Sequence, residues 1–391
     1  MSAVLIVHPH ADTRGGTATL LRQLVRGLDD AGMEAVLAVS HDGALARDFR
    51  EQGRAVHVVP HGRLRRPSAV WHTVRALARV VVAHNASVVF SNGGREHVYG
   101  ALAALLTGRP EVWCQHIPWP DKGLLPLLLS RIPTRAVVAN SRYTLTTLPA
   151  RLQTRAHLIR FGVPIREVDA VSAEQVAALL EQEAITRPVI TCVGGFAPNK
   201  GQRYLVEAAE AVHKRQPSAT VLFAGSPFEQ ADKHVATSVS YFEGLQQQVA
   251  QRRLGSAVRF LGFRADVNVL LAASDVFVHP SVVPESFGYV IAEAMAAGVP
   301  VVASAIGAQR ELVQDGVTGL LVPPANADAI AEAVLRIVDD PACGQRLGRA
   351  GRTYAAQHLN AERMRAELIG LFASLAGPPH SGPHVENNRA A

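Results

Sequence analysis

The sequence has few aromatic residues and few cysteines. Only 5% of its 391 residues are aromatic, so a carbohydrate-binding face of stacked rings is not expected. Its three cysteines, Cys114, Cys192 and Cys343, lie far apart and show neither CxxC nor Cys/His spacing. This pattern argues against a zinc site and a disulfide framework, and it predicts free thiols in a reducing cytoplasm.

Long apolar runs are also missing. No uncharged apolar stretch reaches the ~18 residues that a transmembrane helix needs. The first predicted strand, at residues 3–8, has no basic region or cleavage site before it, and its apolar run is too short for a signal peptide. The sequence therefore predicts a cytoplasmic protein that does not span a membrane.

Strands alternate with helices along the whole chain, which predicts an α/β fold with parallel sheets. With 48% hydrophobic residues over 391 positions, the chain can bury two cores. The predicted strands are 3–8, 33–39, 55–59, 87–91, 111–116, 135–139, 156–160, 189–193, 219–224, 257–262, 275–279, 299–303 and 319–322. The predicted domains are 1–165 and 188–357, with a linker at 166–187, a C-terminal helix at 358–376 that returns toward the N-terminal domain, and a disordered tail at 377–391.

Positive charge is concentrated in the first part of the chain. Residues 1–165 contain 20 Lys/Arg and 10 Asp/Glu, whereas the remaining residues contain 19 and 23. The densest basic stretch carries Arg63, Arg65, Arg66, Arg75 and Arg79. On a predicted helix over 68–84, arginines of this stretch either form a solvated face or contact an anionic membrane or acceptor. Nucleic acid is not expected as a partner, because the sequence shows no nucleic-acid-binding module.

Residues 275–298 predict a strand, a polar turn and a helix. Ser286 is the predicted N-cap of a helix over 287–297 that Gly298 ends. In a doubly wound sheet such a unit is the usual place for a ligand, and the helix start can hold a phosphate. Glu285 and Glu293 are eight residues apart, which on one helix means about 12 Å of rise. We expect them to contact different parts of one extended ligand.

The motifs of this segment resemble the nucleotide-sugar site of glycosyltransferase family 4. Residues 285–304 read ESFGYVIAEAMAAGVPVVAS, and GAQRE at 307–311 and DGVTGLLV at 315–322 follow. The other pieces in the family's order are Gly15-Gly16, FGVP at 161–164, GGFAPNKG at 194–201 and FLGFR at 260–264. The resemblance covers residues 4–375 and implies a GT-B fold, in which two Rossmann-like doubly wound domains face each other across a cleft that binds the donor.

The resemblance also implies roles for individual residues. Lys200 would bind the donor diphosphate, together with the backbone N–H groups of Phe287 and Gly288. Glu293 would accept hydrogen bonds from the ribose hydroxyls. Glu285 would contact hydroxyls of the transferred sugar.

The rest of the implied donor site is distributed along the chain. The further residues are Gly15, Gly16 and Gly194 beside the sugar or diphosphate, Gly262, Phe263 and Arg264 around the base, Ser286 at the helix start, and His116 as a catalytic residue near the sugar. The family usually has an arginine where this sequence has Gly195. One positive charge at the leaving group is therefore missing, and Arg203 and Arg264 are the candidates to replace it.

The resemblance predicts a retaining transferase that moves a hexose-type sugar from a nucleoside-diphosphate sugar to an acceptor held by the N-terminal domain. The acceptor is either a small polar metabolite or a lipid-linked or anionic glycan. The sequence contains no DxD triplet, so neither a metal nor another cofactor is expected. Two alternatives stay open: a nucleotide-sugar 2-epimerase on the same fold, and an inactive sugar-nucleotide-binding subunit. Peripheral contact with the inner face of an anionic membrane is a further expectation.

Overall fold

The computed structural model describes residues 2–9, 15–119, 126, 129–227 and 235–376. The tail predicted to be disordered, 377–391, lies outside the described residues. The chain divides into two compact units, each with its own sheet. The first unit takes the residues up to 139, 148–159 and those from 365 onward, and the second takes 140–147 and 160–364.

The first unit contains a parallel sheet of seven described strands. The strands are β1 (Ala3–His8), β2 (Glu34–Val39), β3 (Val56–Val58), β4 (Ala86–Ser91), β5 (Glu111–Gln115), β6 (Ala136–Ala139) and β7 (Ala156–Leu158). Their order is β3-β2-β1-β4-β5-β6-β7, so the direction of winding reverses between β1 and β4. Strands such as β1 are buried along their whole length, because helices cover both faces of a parallel sheet.

The second unit repeats this arrangement with six described strands. They are β8 (Val189–Val193), β9 (Thr220–Ala224), β10 (Val258–Phe260), β11 (Val276–His279), β12 (Val301–Ser304) and β13 (Gly319–Val322). Their order is β10-β9-β8-β11-β12-β13, all parallel, and the winding reverses between β8 and β11. Ligands of doubly wound sheets bind at such a reversal, outside the carboxyl ends of the strands.

Helices connect the strands. In chain order they are α1 (Gly16–Asp30), α2 (Ala44–Glu51), α3 (Pro67–Ala83), α4 (Gly94–Thr107), α5 (Arg142–Thr147), α6 (Ala150–Gln153), α7 (Ile165–Asp169), α8 (Ala173–Gln182), α9 (Gln202–Arg215), α10 (Val235–Gln251), α11 (Val267–Ala272), α12 (Tyr289–Ala296), α13 (Gln309–Leu312), α14 (Ala327–Val338), α15 (Pro341–His358) and α16 (Ala361–Ala376). None of the helices within the described ranges is long and apolar enough to cross a membrane.

Each unit has its own apolar core. In the first unit, Leu5 and Val89 of the sheet pack in one cluster with Leu77 of α3 and Tyr99 of α4. In the second, Ile190 and Val302 of the sheet share a cluster with Leu205 of α9 and Val334 of α14. The sheet faces are apolar because both are covered, and this places the polar side chains of each sheet at the strand ends.

The predicted α/β fold with two doubly wound parallel sheets is confirmed. The predicted strands occur in the same order, and the bounds of β8 and β13 match the prediction. Most other predicted strands differ from the observed ones by one or two residues at an end, and two predicted elements were three residues too long. The strand predicted at 257–262 covers only Val258–Phe260, because Gly262 has a positive φ of 68° and ends the extended conformation.

The helix predicted over 287–297 covers only Tyr289–Ala296. Ser286 is not its N-cap; the N-cap is Gly288, with a φ of 96° that favours glycine. The predicted linker region contains α7 and α8, and Ser172 and Gln175 form a capping box at the start of α8. Leu179 of α8 packs in a cluster with Val189 and Leu222 of the second sheet.

Candidate active site

Lys200 and Glu285 follow the two strands at which the second sheet reverses its winding. Lys200 lies in a short 3-10 turn, Pro198–Lys200, after β8. Glu285 lies in the loop between β11 and α12. Gly201 lets the first loop pass close to the second, because a Cβ atom at this position would lie 2.0 Å from the carbonyl oxygen of Pro280. The fold therefore brings these two charged side chains together from positions 85 residues apart.

Glu285 accepts two hydrogen bonds on one oxygen. Lys200 Nζ lies 2.7 Å from Glu285 Oε1, and His279 Nε2 lies 3.0 Å from the same oxygen. Burial by itself would raise the pKa of the Glu285 carboxyl, but the contacts with His279 and Lys200 outweigh burial and hold the pKa well below its ordinary value. Glu285 is therefore a carboxylate at neutral pH. Its second oxygen, to which no described residue donates a hydrogen bond, can accept one from a ligand.

Lys200 keeps donor capacity beyond this pair. An ammonium group has three N–H donors, and the contact with Glu285 uses one of them. The Lys200 side chain is 30% exposed, whereas that of Glu285 is 18% exposed. A phosphate could therefore approach the ammonium group while the ion pair persists.

The backbone after Glu285 presents N–H groups at a helix start. The Glu285 carbonyl accepts a hydrogen bond from Ala308 N at 3.0 Å, which fixes the loop. Among the described residues, no acceptor takes the N–H of Phe287 or of Gly288. These two donors precede α12, where the helix dipole favours a negative charge. The arrangement can bind an anionic group next to the Lys200–Glu285 pair.

Glu293 lies on α12 among apolar neighbours. It is partly buried, and Ala292 and Ala294 on either side of it are fully buried. Burial raises the pKa of the Glu293 carboxyl to about 7, because no cation or donor within the described part of the chain compensates for the lost hydration. Such a carboxyl gains from any ligand hydroxyl that can hydrogen bond to it.

Three glycines meet where β8, β9 and β10 end. Gly225 N donates to Gly262 O at 2.8 Å, and a Cβ atom on Gly225 would lie 2.0 Å from Gly194 O. Cβ atoms on Gly194 and Gly262 would meet no described atom within 4 Å, so both positions are open. Phe263 follows Gly262 and is 57% exposed. The glycines thus leave an open edge where the three strands end, and the exposed Phe263 side chain lies at this edge.

The two candidate replacements for the missing arginine are engaged elsewhere. The Arg264 guanidinium forms a bidentate pair with Asp266, at 2.8 and 2.6 Å, and a further bond of 2.7 Å to Glu183. Arg203 lies 3.5 Å from Glu207 and against the Tyr204 ring. Gly195 itself contributes a carbonyl that accepts a hydrogen bond from Gln202. Lys200 is therefore the cation that this unit places next to Glu285.

In the first unit, the predicted residues lie at the corresponding edge of the sheet. His116 follows β5, and its Nε2 donates a hydrogen bond to the side-chain oxygen of Asn92. The amide nitrogen of Asn92 lies 3.0 Å from His8 Nδ1, so Asn92 bridges two histidines. Burial lowers the pKa of His116 to about 4, which keeps the ring neutral at pH 7. Gly15 has a φ of 88° and precedes α1, which begins at Gly16.

The structure adds residues that the sequence analysis did not assign to the site. His279 ends β11 and binds Glu285, and Asn92 follows β4 and orients His116. His279 is the last residue of its strand and Asn92 directly follows its strand, each at the reversal of a doubly wound sheet, and this position is the signal that could have identified them. The carboxylate of Glu311 accepts the backbone N–H groups of Arg142 and Tyr143, at 2.8 and 2.5 Å, and caps α5.

The sequence is similar to those of known glycosyltransferases. The chain matches the family models described as "Glycosyltransferase Family 4" over residues 14–167 and "Glycosyl transferases group 1" over residues 178–354. It is 32% identical over 323 residues to alpha-maltose-1-phosphate synthase of Mycolicibacterium smegmatis, an alignment that covers 75% of this chain and 80% of the relative. The chain belongs to glycosyltransferase family 4.

Further matches extend over nearly the whole of this glycosyltransferase. It is 27% identical to the GDP-mannose-dependent alpha-(1-6)-phosphatidylinositol monomannoside mannosyltransferase of Mycolicibacterium smegmatis, over 95% of this chain and 98% of the relative. The crystal structure of Anabaena HepE in complex with UDP has a TM-score of 0.83 at 24% identity, covering 96% of this chain and 100% of that one. Sucrose-phosphate synthase from Thermosynechococcus elongatus has a TM-score of 0.80 at 23% identity, covering 96% and 99%.

These comparisons confirm the predicted family, the GT-B fold and the enzyme class. The protein is a nucleotide-sugar-dependent glycosyltransferase of the GT-B type. The roles that the resemblance implies for individual site residues stay predictions.

Proposed function

We propose that this glycosyltransferase transfers a hexose, with retention of anomeric configuration and without a metal ion, from a nucleoside-diphosphate sugar to a phosphate-bearing acceptor. The observation that carries the proposal is the group formed by Lys200, Glu285 and the two unused N–H donors of Phe287 and Gly288. It combines one cation and a helix start, which suit a diphosphate, with a carboxylate oxygen, which suits a sugar hydroxyl.

The reaction breaks the bond between the anomeric carbon and the diphosphate oxygen, and it forms a bond from that carbon to an acceptor oxygen on the same face of the sugar. The leaving phosphate takes the proton of the acceptor hydroxyl. Negative charge builds up on the diphosphate, and fixed donors stabilise it electrostatically. Lys200 and the N–H groups of Phe287 and Gly288 supply that stabilisation in the proposal. The absence of a DxD triplet from the sequence agrees with a reaction that needs no metal.

The remaining residues orient the donor. We assign Glu293 to the ribose hydroxyls, because its carboxyl is partly buried among apolar side chains and no cation of the described residues compensates for that burial. The open edge at Gly194 and Gly262, with the exposed ring of Phe263, suits a flat base. In the first unit, we assign Gly15 and Gly16 to the sugar or diphosphate, since a Cβ atom on Gly15 would meet no described atom within 4 Å. The neutral His116 ring can hydrogen bond to a sugar hydroxyl.

An anionic acceptor is supported by the relatives and by charge. The names of two relatives refer to maltose 1-phosphate and to a phosphatidylinositol mannoside, and both contain a phosphate group. Residues 1–165, assigned to acceptor binding, carry 20 Lys/Arg against 10 Asp/Glu. The proposal places the reaction at the cytoplasmic face of an anionic membrane, where basic side chains are attracted to lipid headgroups. The three cysteines are free and buried, in agreement with a reducing compartment.

The test begins with a donor panel. Thermal shift with UDP-, GDP- and ADP-sugars identifies the donor, because a ligand that binds the folded state raises its stability. The identified donor is then incubated with sugar phosphates and with phosphoinositides, and the product anomer is assigned by NMR, with and without EDTA. We expect a glycoside with the anomeric configuration of the donor, formed equally well in EDTA.

Each other outcome contradicts a defined part of the proposal. An inverted product excludes retention, and a strict requirement for Mn²⁺ or Mg²⁺ excludes the metal-independent mechanism. Conversion of the donor into its 2-epimer without acceptor would show an epimerase. Donor binding without turnover on any acceptor would indicate an inactive sugar-nucleotide-binding subunit.

A further inference from the structure

One segment of the first unit carries charge of a single sign. From Gln52 to Arg95 inclusive, the sequence has no aspartate or glutamate, but it has seven arginines. Five of these arginines are exposed along the loop before α3 and on α3 itself: Arg63, Arg65, Arg66, Arg75 and Arg79. Their guanidinium groups form no ion pair with a carboxylate of the described chain, whereas Arg50 and Arg54 pair with Asp42 and Asp29. The five charges are therefore available to an external anion.

An apolar groove lies among these arginines. It has a volume of about 310 Å³, and its described lining residues are Leu64, Pro67, Val70, Trp71, Val98, Leu129 and Ile132. Every described lining side chain is apolar or aromatic, so these residues offer no hydrogen-bonding side chain except the indole N–H of Trp71. Such a groove suits a hydrocarbon chain and does not suit a sugar or a nucleotide.

Trp71 stands at the edge of this groove. It is 45% exposed, although a tryptophan normally buries most of its large ring. The Arg75 guanidinium lies 5.2 Å from the centre of the Trp71 ring, so a cation is held next to the exposed aromatic face. Tryptophan beside arginine is the combination that prefers the interface between lipid headgroups and acyl chains.

We infer that the groove and the five arginines, here called the Trp71 surface, dock this enzyme onto an anionic lipid bilayer. Trp71 inserts at the level of the headgroups, the groove receives part of an acyl chain, and the arginines contact lipid phosphates. The inference rests on the membrane contact of the proposed function and identifies the surface that makes it. It requires no particular sugar acceptor.

Charge and shape together favour a bilayer over nucleic acid. Single-stranded nucleic acid is bound by several aromatic rings interleaved with basic residues. On this surface Trp71 is the one exposed aromatic side chain among the described residues 60–84, and His72 is the neighbouring imidazole. Apolar side chains make no favourable contact with the charged phosphates of a nucleic-acid backbone, whereas an acyl chain can fill an apolar groove.

Tryptophan fluorescence gives a direct readout of the insertion. The chain has three tryptophans; Trp113 is fully buried and Trp119 is 9% exposed, so a quencher in the bilayer can reach Trp71 selectively. The protein of 391 residues is mixed with vesicles of phosphatidylcholine alone, or of phosphatidylcholine with phosphatidylglycerol, each with and without bromine on the acyl chains. We expect quenching by brominated anionic vesicles at low salt, little quenching by neutral ones, and none in Trp71→Phe.

Matched variants test the charges. Arg65→Ala/Arg66→Ala removes two charges from the Trp71 surface, and Arg47→Ala/Arg151→Ala removes two exposed charges from other elements of the same unit. In vesicle flotation we expect the first pair to lower partitioning at least ~10-fold and the second pair to change it less than about twofold. Far-UV circular dichroism and thermal melting confirm that each variant is folded.

Several results would overturn the inference. Flotation without quenching of Trp71 fluorescence would place the membrane contact on another surface. If the two double variants lost vesicle partitioning equally, the binding would depend on the net charge of the protein and not on the Trp71 surface. Binding to an RNA oligomer in place of vesicles would assign the surface to nucleic acid. Donor turnover with a water-soluble acceptor, measured without vesicles, separates the two proposals: turnover without vesicle binding refutes the Trp71 surface and leaves the proposed reaction intact.

Discussion

Replacing Glu293 with glutamine should strengthen the fold and weaken nucleotide binding. The pKa of the carboxyl is raised from 4.5 to about 7 by burial, so the folded protein must carry a poorly hydrated carboxylate above neutral pH. At about 1.4 kcal/mol per pH unit, this shift corresponds to about 3 kcal/mol. Because the folded-state pKa is the higher one, the associated stability is fully present below pH 4.5 and is lost as pH rises through 7.

Glutamine keeps the shape of the side chain and removes the titration. We therefore expect Glu293→Gln to gain about 3 kcal/mol in unfolding free energy at pH 8, but only about 1 kcal/mol at pH 5. Glutamine cannot replace the charge that accepts the ribose hydroxyls, so the Kd for free nucleotide should rise about 10- to 100-fold at pH 8. A variant that is more stable but binds nucleotide more weakly would identify Glu293 as a ligand-binding carboxylate. Replacing an ordinary buried carboxylate would change stability alone.

Thermal melting at both pH values and isothermal titration with the free nucleotide measure the two effects. Glu332→Gln, a change of the same type at an exposed position of α14, is the control and should alter neither quantity. A melting temperature that rises equally at pH 5 and pH 8 would refute the electrostatic reasoning. An unchanged nucleotide Kd would refute the assignment of Glu293 to the ribose.

Three further variants test the loops around the diphosphate site. Lys200→Ala should lower kcat at least ~100-fold in a steady-state assay, since it removes one preorganised charge at the leaving group. A decrease in kcat of less than tenfold would show that other hydrogen-bond donors stabilise the negative charge on the leaving diphosphate. Glu285→Gln should reduce kcat more than it weakens nucleotide binding in calorimetry, and the reverse ranking would contradict its contact with the sugar. Gly201→Ala should destabilise the fold by at least ~1 kcal/mol, because its φ is 68° and the new Cβ would lie 2.0 Å from Pro280 O. Gly244→Ala, inside α10 with open space around it, should instead melt at the same or a higher temperature.

The sheets of this protein could be predicted from sequence because parallel strands are buried on both faces. Continuous apolar runs such as Val189–Val193 and Gly319–Val322 therefore mark strands to the residue. Helix starts were harder to predict. Ser286 has the side chain of an N-cap, but Gly288 provides the left-handed backbone that begins α12, and side-chain chemistry alone does not reveal a backbone angle.

The partners of the charged site residues could not be predicted for a different reason. His279 reaches Glu285 only because the turn at residues 280–284 folds back, and Arg264, besides its pair with Asp266, binds Glu183 from 81 residues away. A pattern within one stretch of sequence carries no information about such contacts. The sequence predicted a ligand contact for Glu285 but neither of the two partners, Lys200 and His279, that the protein itself provides.

The path of the chain between its two units limits how this enzyme can be recombined with its relatives. Within the described chain, the boundary between units is crossed after residues 139, 147, 159 and 364. A chimera joined at one point between 165 and 188 would separate Arg142 and Tyr143 from the Glu311 that caps their helix. It would also take Phe372 of α16 away from its packing against Phe90. Exchange of donor specificity between family members therefore requires α5 and α16 to be inherited together with the units on which they pack.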